Sequence, residues 1–179
     1  MIYLFLAEGF EEIEALCPLD LLRRAGLSVT TVGVGGKQIT GAHGITVQAD
    51  IPDTLYADPN PHMVILPGGM PGTLNLAESK VVQNAIETAH KKGAYLAAIC
   101  AAPSILGDKG LLEGKEAICF PGFEEHLTGA TLSRSRVVRD GSVITAAGMG
   151  VALEFGLALV AALCGEEKAD ELRRAVLAD

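Results

Sequence analysis

The chain has 179 residues, with 14 Lys plus Arg against 22 Asp plus Glu and a formal net charge of -8. A hydrophobic fraction of 49% beside 20% charged residues excludes intrinsic disorder. The acidic balance, with no basic run longer than two residues, excludes the cationic footprint that nucleic acid requires. Aromatic residues make up 4% and Trp is absent, so the apolar interior must be Val, Ile and Leu strands covered by Ala/Leu helices. The length predicts one domain over residues 1–179, large enough to bury roughly 70% of its unfolded surface.

Strand-like and helix-like segments alternate along the chain. Ile2 to Ala7 is an apolar run that meets Glu8 at once and has no basic flank, so it reads as a strand rather than a targeting signal. Glu11 to Ala25 has helical spacing and stops at Gly26. Ser28 to Val34 is β-branched and ends at Gly35-Gly36, and Gly44 to Asp50 alternates as an edge strand or hairpin arm does. Asp53 to Pro61 reads as a surface loop. Met63 to Leu66 is a strand that ends in Pro67-Gly68-Gly69, and Val81 to Lys92 is an amphipathic helix closed by Gly93. Ala94 to Ile99 is another apolar strand, running into Cys100 and then Pro103, and Glu116 to Phe120 is a further short one. Val137 to Asp140 and Ser142 to Thr145 flank Asp140-Gly141, a hairpin signal. Ala152 to Leu163 and Glu166 to Leu177 are closing helices; the apolar part of the former, Phe155 to Cys164, is too short to span a bilayer. The pattern predicts an α/β fold, a three-layer α/β/α sandwich with a mainly parallel sheet. Functional sites in such sheets form in the loops at the carboxyl ends of strands.

Three strand ends carry chemistry. In Ala94-Tyr-Leu-Ala-Ala-Ile-Cys100-Ala-Ala-Pro-Ser104 a buried strand ends at a cysteine and Pro103 is placed to begin a helix. That is the pattern of a nucleophile elbow, and a thiol at a helix N-terminus is expected to have a lowered pKa. A buried structural cysteine is the other reading. Glu14 falls on a helical stripe with Cys17, Pro18, Leu21 and Ala25. A carboxylate there is either buried with a raised pKa or, with Glu11 and Glu12, only a complement to the helix dipole. Pro18 suggests a kink nearby. The third strand end, Leu66-Pro67-Gly68-Gly69, offers backbone amides that could form half of an oxyanion hole. It lacks the Gly-Lys-Ser/Thr of a phosphate loop, and Gly33-Val34-Gly35-Gly36 fails the dinucleotide fingerprint because Gln38 stands where its last glycine belongs.

Among the histidines, His43 is bracketed by glycines in a tight turn, whereas His62, His90 and His126 read as surface residues. Cys17, Cys119 and Cys164 read as core. The four cysteines form no C-x-x-C pair, which suits a reducing cytoplasm and points to no metal site.

With Glu14, Gly68-Gly69 and Cys100 on three strand ends, the sequence resembles the Parkinsonism-associated deglycase family of the ThiJ/PfpI superfamily. It resembles a bacterial-type member with a Cys-Ala-Ala-Pro elbow. The likeness covers essentially the whole chain and includes Ala7-Glu-Gly-Phe-Glu-Glu-Ile-Glu14, Pro18-Leu-Asp20, Arg23-Arg24-Ala25-Gly26, Ala97-Ala-Ile-Cys-Ala-Ala-Pro103 and Glu154-Phe155. The resemblance implies a flavodoxin-like fold, a homodimer, and an oxidation-prone Cys100 as nucleophile hydrogen-bonded to a protonated Glu14 as proton shuttle. It also implies an oxyanion site at the Gly69 and Ala101 amides beside Gly68, with His43 near the substrate and no cofactor. Many members carry a histidine where this chain has Phe120, and an arginine where it has His43. The residue after the cysteine is Ala101 rather than histidine, which argues against a Cys-His protease. An amidotransferase would need Gly-x-Cys-x-Gly, which is absent.

The implied activity is a glutathione-independent glyoxalase or deglycase acting on methylglyoxal-type dicarbonyls or their early adducts. The alternative is an oxidative-stress sensor or redox-regulated chaperone built on the oxidisable Cys100.

Overall fold

The computed structural model describes residues 1–178; Asp179, the last residue of the expected domain, lies outside them. In chain order the elements are β1 (Ile2–Leu6), α1 (Glu12–Arg24), β2 (Val29–Gly33), β3 (Gln38–Thr40), β4 (Thr46–Gln48), β5 (Ile51–Pro52), β6 (Met63–Leu66), α2 (Gly72–Glu78) and α3 (Lys80–Lys91). They continue with β7 (Tyr95–Ile99), α4 (Pro103–Asp108), β8 (Glu116–Ala117), β9 (Thr131–Leu132), β10 (Val137–Asp140), β11 (Val143–Ala146), α5 (Ala152–Cys164) and α6 (Glu166–Ala175).

Seven strands form one sheet in the order β10-β11-β7-β6-β1-β2-β5. All neighbours are parallel except the β10–β11 hairpin. The apolar runs are continuous because both faces of the sheet are covered. Side chains still alternate with the pleat. Ile2, Leu4 and Leu6 of β1, Met63 and Ile65 of β6, and Ala97 and Ile99 of β7 point into one core with α1, α5 and α6. Phe5, Val64, Leu66, Leu96 and Ala98 point into the other with α2, α3 and α4. This is the α/β/α sandwich that the strand and helix pattern predicts, in the flavodoxin-like form that the resemblance implies.

Helix α1 runs unbroken through Pro18, although proline deprives the Glu14 carbonyl of its ordinary partner four residues on. Gly156 allows α5 to lie close against this stretch: a Cβ there would meet Leu21 Cδ1 at 2.6 Å and the Pro18 Cα at 3.0 Å.

Several short elements differ from the sequence reading. Glu116 to Phe120, read as a strand of the sheet, is ordered only over β8, which pairs with β9 in a separate two-stranded piece. Ile118 to Phe120 leave the ladder because the Phe120 amide bonds the Cys100 carbonyl instead, at 2.7 Å. Of the two readings of Gly44 to Asp50, edge strand or hairpin arm, the structure shows the second: β4 pairs with β3 in its own hairpin. Gly72–Glu78, to which the sequence reading assigns no element, form α2. Cys164 is exposed, and Cys17 is half-buried at the margin of the α1, α5 and α6 core rather than inside it. Among the described residues, no helix is long and apolar enough to cross a membrane.

The α1–α5 contact leaves no room for a larger side chain. Gly156→Leu is expected to cost about 1–3 kcal/mol through overpacking, read as a lowered urea midpoint at unchanged slope. An unchanged midpoint would show that the helices can separate freely there.

Candidate active site

The chain leaves β1 toward β2 on one side and later crosses to β6 on the other, so β1 and β6 flank the topological switch point of the sheet. Three segments meet at that end. Helix α1 follows β1 and carries Glu14, Gly68 and Gly69 follow β6, and Cys100 follows β7.

Cys100 has φ +65°, a left-handed conformation that ordinary side chains avoid. Its backbone is fixed on both sides: the amide donates to the Ala146 carbonyl at 2.9 Å and the carbonyl accepts from the Phe120 amide at 2.7 Å. Buried Ala101 and Ala102 permit the sharp turn into α4, and the Ser104 hydroxyl donates to the Ala101 carbonyl at 2.7 Å. The elbow predicted from strand, cysteine and proline is therefore present.

Glu14 is 1% exposed, so it is a buried carboxyl rather than a dipole complement. Its Oε2 accepts from the Gly68 amide at 3.0 Å, and the Cys100 thiol and the Met149 backbone lie close enough to bias its titration. Gly68 sits between the two acids. A Cβ there would lie 2.6 Å from Glu14 Oε2 and 2.7 Å from Cys100 Cβ, so only glycine fits. Gly69, at φ +90°, follows, and its amide and that of Ala101 favour the charged form of the sulfur.

Burial pushes the Glu14 carboxyl up to about 7, opposed by its bond to Cys100, helped by the charge of Glu11, and opposed again by the Gly68 and Met149 backbone groups. Burial also pushes the Cys100 thiol up to about 12, reinforced by the charge of Glu14 and the bond to it. The expectation of a lowered thiol is thereby corrected, because desolvation and a neighbouring acid outweigh two amides and a six-residue helix. Two acids in one poorly solvated place titrate as a pair. Between about 7 and about 12 the pair carries one negative charge. The remaining proton can sit on oxygen, leaving a thiolate that the Gly69 and Ala101 amides stabilise.

The neighbouring carboxylates have other tasks. Glu11 caps α1, its Oε2 accepting from the Glu14 amide at 2.7 Å. Glu12, 3% exposed, reaches into the β3–β4 turn. Its Oε1 accepts from the His43 amide at 2.7 Å and the Ile45 amide at 3.4 Å, and its Oε2 lies 2.8 Å from His43 Nδ1. His43 thus bonds Glu12, and its ring lies 3.9 Å from Glu11. Glu11, Glu12 and His43 bring one ligand atom each within 4.8 Å of one another, a grouping that the sequence spacing conceals and that could hold a cation. The hydrogen bonds to the hairpin account for Glu12 without one. Cys119 is buried and its thiol is pushed up to about 11 by that burial and the charge of Glu124, as a structural cysteine would be.

Sequence reasoning missed the segment Gly148-Met149. A Cβ on Gly148 would be 4.0 Å from Cys100 Sγ and 3.2 Å from the Phe120 ring. The signal available was the small-residue run Ala146-Ala147-Gly148 on leaving a strand. A separate open groove of about 580 Å³, lined by Glu8, Asp53, Glu78 and Lys80 among others, lies near the ends of β1 and β2 and includes neither Cys100 nor Glu14.

Residues 1–162 match the model of the DJ-1/PfpI family. The chain belongs to this family. Protein DJ-1 homolog A of Arabidopsis thaliana is 39% identical over 96% of this chain, which spans only 45% of that longer protein. The glutathione-independent glyoxalase DJR-1.2 of Caenorhabditis elegans is 33% identical over 92% of this chain and 89% of its own length. Among solved structures, oxidised Toxoplasma gondii DJ-1 superposes with a TM-score of 0.94 at 30% identity, over 98% of this chain and 97% of that one.

The His43–Glu12 clamp is pH-dependent. Bonding and charge from Glu12 raise His43 above its ordinary 6.5. For Glu12, burial pushes upward, but the bonds to His43 and the turn amides prevail and hold it below its ordinary 4.5. A raised histidine stabilises the fold fully below its unfolded value and loses that contribution as pH rises through the folded one. A depressed carboxyl contributes above its unfolded value and loses it as pH falls. The urea-midpoint difference between the wild-type chain and His43→Ala should therefore be largest between about 4.5 and 6.5 and shrink by pH 8. A difference independent of pH would mean that the ring acts by packing alone.

Proposed function

We propose that the chain is a cysteine-dependent, glutathione-independent glyoxalase or deglycase-like enzyme, with Cys100 as nucleophile and Glu14 as proton shuttle. The observation that carries this reading is the pair itself: a buried carboxyl raised to about 7 beside a half-buried thiol. The likeness to the C. elegans glyoxalase supports the reaction class. No cofactor enters the scheme, and residues 1–179 act as one domain.

The Cys100 thiolate adds to the aldehyde carbon of a 2-oxoaldehyde, forming a C–S bond while the carbonyl electron pair moves to oxygen. The Gly69 and Ala101 amides, beside Gly68, receive the developing oxyanion, and Glu14 supplies the proton that makes the hemithioacetal. Glu14 then removes the proton from that carbon, and a proton is returned to the adjacent ketone carbon. The result is a 2-hydroxy thioester at the same oxidation level overall. Water hydrolyses the thioester, releasing the 2-hydroxy acid (lactate from methylglyoxal) and regenerating the thiol. Early glycation adducts would enter by the same attack. His43 borders the substrate side through Glu11 and Glu12. The cytoplasm, a reducing compartment, suits a catalytic thiol. A homodimer formed through α1 and α5, where Ile13 and Leu153 are exposed beside half-buried Cys17, fits the uncovered helix faces. Sedimentation at micromolar concentration should give twice the chain mass, and a monomer would overturn this arrangement.

The competing reading is a redox sensor or redox-regulated chaperone in which Cys100 is oxidised to sulfinate instead of turning over. One set of measurements separates the two. Wild-type protein should consume methylglyoxal steadily while Cys100→Ser consumes none above background; equal rates would favour the sensor. Alkylation of Cys100 in wild type should rise only well above neutral pH, because burial and the charge of Glu14 both push the thiol up. Glu14→Gln removes that charge, so its alkylation midpoint should move down while methylglyoxal turnover falls, because the amide has no proton to shuttle. A common midpoint near the ordinary thiol value would reduce Glu14 to a structural residue.

A further inference from the structure

An aromatic residue lies close to Cys100. The Phe120 amide is bonded to the Cys100 carbonyl at 2.7 Å, so the ring is anchored to the nucleophile's own backbone. Gly148 lies between ring and sulfur, its virtual Cβ 3.2 Å from Phe120 Cδ2 and 4.0 Å from Cys100 Sγ. The ring is nevertheless 48% exposed, so one part packs on Gly148 and the rest faces solvent beside the sulfur. Met70 and Met149, which follow Gly69 and Gly148 directly, are also large apolar residues left exposed. The exposed Phe120 ring and the half-buried thiol thus share one small neighbour, Gly148, and the ring offers an apolar surface on the approach to the sulfur.

The groups that bias the Cys100 sulfur are Glu14 and the Ala101 and Gly69 amides. Arg136, which reaches the Gly148–Gly150 segment, is held by the Gly150 carbonyl at 3.1 Å and by Glu154 at 3.0 Å. His43 is held by Glu12. An anionic substrate would therefore approach a site that already carries the negative charge of the Glu14–Cys100 pair, with Arg136 and His43 both engaged elsewhere.

We propose that Phe120 is the specificity-determining residue of this site and selects neutral 2-oxoaldehydes with an apolar or aromatic substituent over carboxylate- or phosphate-bearing carbonyls. The proposal rests on the glyoxalase reading and narrows it. The substituent lies against the open part of the Phe120 ring while the aldehyde carbon meets Cys100 and its oxygen meets the Gly69 and Ala101 amides. The Phe120 wall offers a flat aromatic surface where a basic residue would offer charge, so glycated nucleotides are disfavoured among the possible adducts.

The test is steady-state kcat/KM for phenylglyoxal, methylglyoxal and glyoxylate with wild type, Phe120→Ala and Phe120→Arg. It is accompanied by alkylation of Cys100 with neutral iodoacetamide and anionic iodoacetate. Wild type should prefer phenylglyoxal to methylglyoxal and use glyoxylate least. Loss of the ring in Phe120→Ala should lower the phenylglyoxal to methylglyoxal ratio about two- to tenfold. Phe120→Arg should raise the iodoacetate to iodoacetamide rate ratio about three- to fivefold, the size expected of a partly screened charge. An unchanged phenylglyoxal ratio in Phe120→Ala, in a wild type that consumes both aldehydes, would overturn the selection by Phe120 and leave the glyoxalase reading standing. If wild type consumes none of the three, the glyoxalase reading falls. An alkylation ratio that still responds to Phe120→Arg would then keep the charge selection of the rim, and an unresponsive one would overturn it too.

Discussion

The arrangement depends on one unfavourable placement: two acids, Glu14 and Cys100, held on either side of Gly68 in a place poorly reached by water. Neither can ionise freely, because desolvation and the charge of the other both oppose it. A single shared negative charge is the stable outcome near neutrality, and its location depends on which hydrogen bonds surround each acid. The Gly68 amide and Met149 backbone favour charge on the carboxyl, and the Gly69 and Ala101 amides favour it on sulfur. The site therefore holds a carboxyl that ionises ahead of its neighbouring sulfur rather than a thiol made permanently acidic.

Holding that balance requires segments far apart in the chain to meet within a fraction of an ångström. The sheet supplies the coarse placement by aligning the carboxyl ends of β1, β6 and β7. Close contacts supply the rest. Gly156 lets α5 press on α1 opposite Leu21 and Pro18, and Glu11 fixes the first turn by capping the Glu14 amide. The Glu11 amide in turn donates to the Gly68 carbonyl at 2.9 Å, tying the helix start to the glycine that separates the acids. The left-handed Cys100 is restrained by amide and carbonyl bonds to two different segments. Its strain is thus distributed over the fold rather than relieved locally.

The sequence makes the frame legible and conceals the finish. Ile2 to Leu6, Met63 to Leu66 and Tyr95 to Ile99 are readable because strands buried on both faces are uniformly apolar. The ends of those strands are where Glu14, Gly68 and Cys100 stand out. The short elements β3, β5, β8, β9 and α2 are not readable, since two to seven residues carry too little periodicity to compete with turn signals. Glu11, Glu12 and Glu14 look alike at the start of a helix, and only burial separates a cap, a clamp on a hairpin and a proton carrier. The Gly148-Met149 segment escapes notice because its proximity to sulfur comes from the β11–β7 pairing, over forty residues away in sequence. The thiol's pKa was misjudged for a related reason: a helix start is a local feature, whereas desolvation is a property of the assembled fold.

A charge shared between oxygen and sulfur also constrains what can react there. An oxidant needs only the sulfur, exposed and ionised, whereas carbonyl chemistry needs the proton on Glu14 and the charge on sulfur together, followed by return of a proton to carbon. Burying Glu14 until its carboxyl titrates near 7 has little value for oxidation alone, because a thiolate beside amides would be oxidised without it. It has direct value for a reaction that must deliver and retrieve a proton at neutral pH. The cost of burying that carboxyl fits the proton-carrier role proposed for it, and in that reading the placement serves turnover rather than sensing.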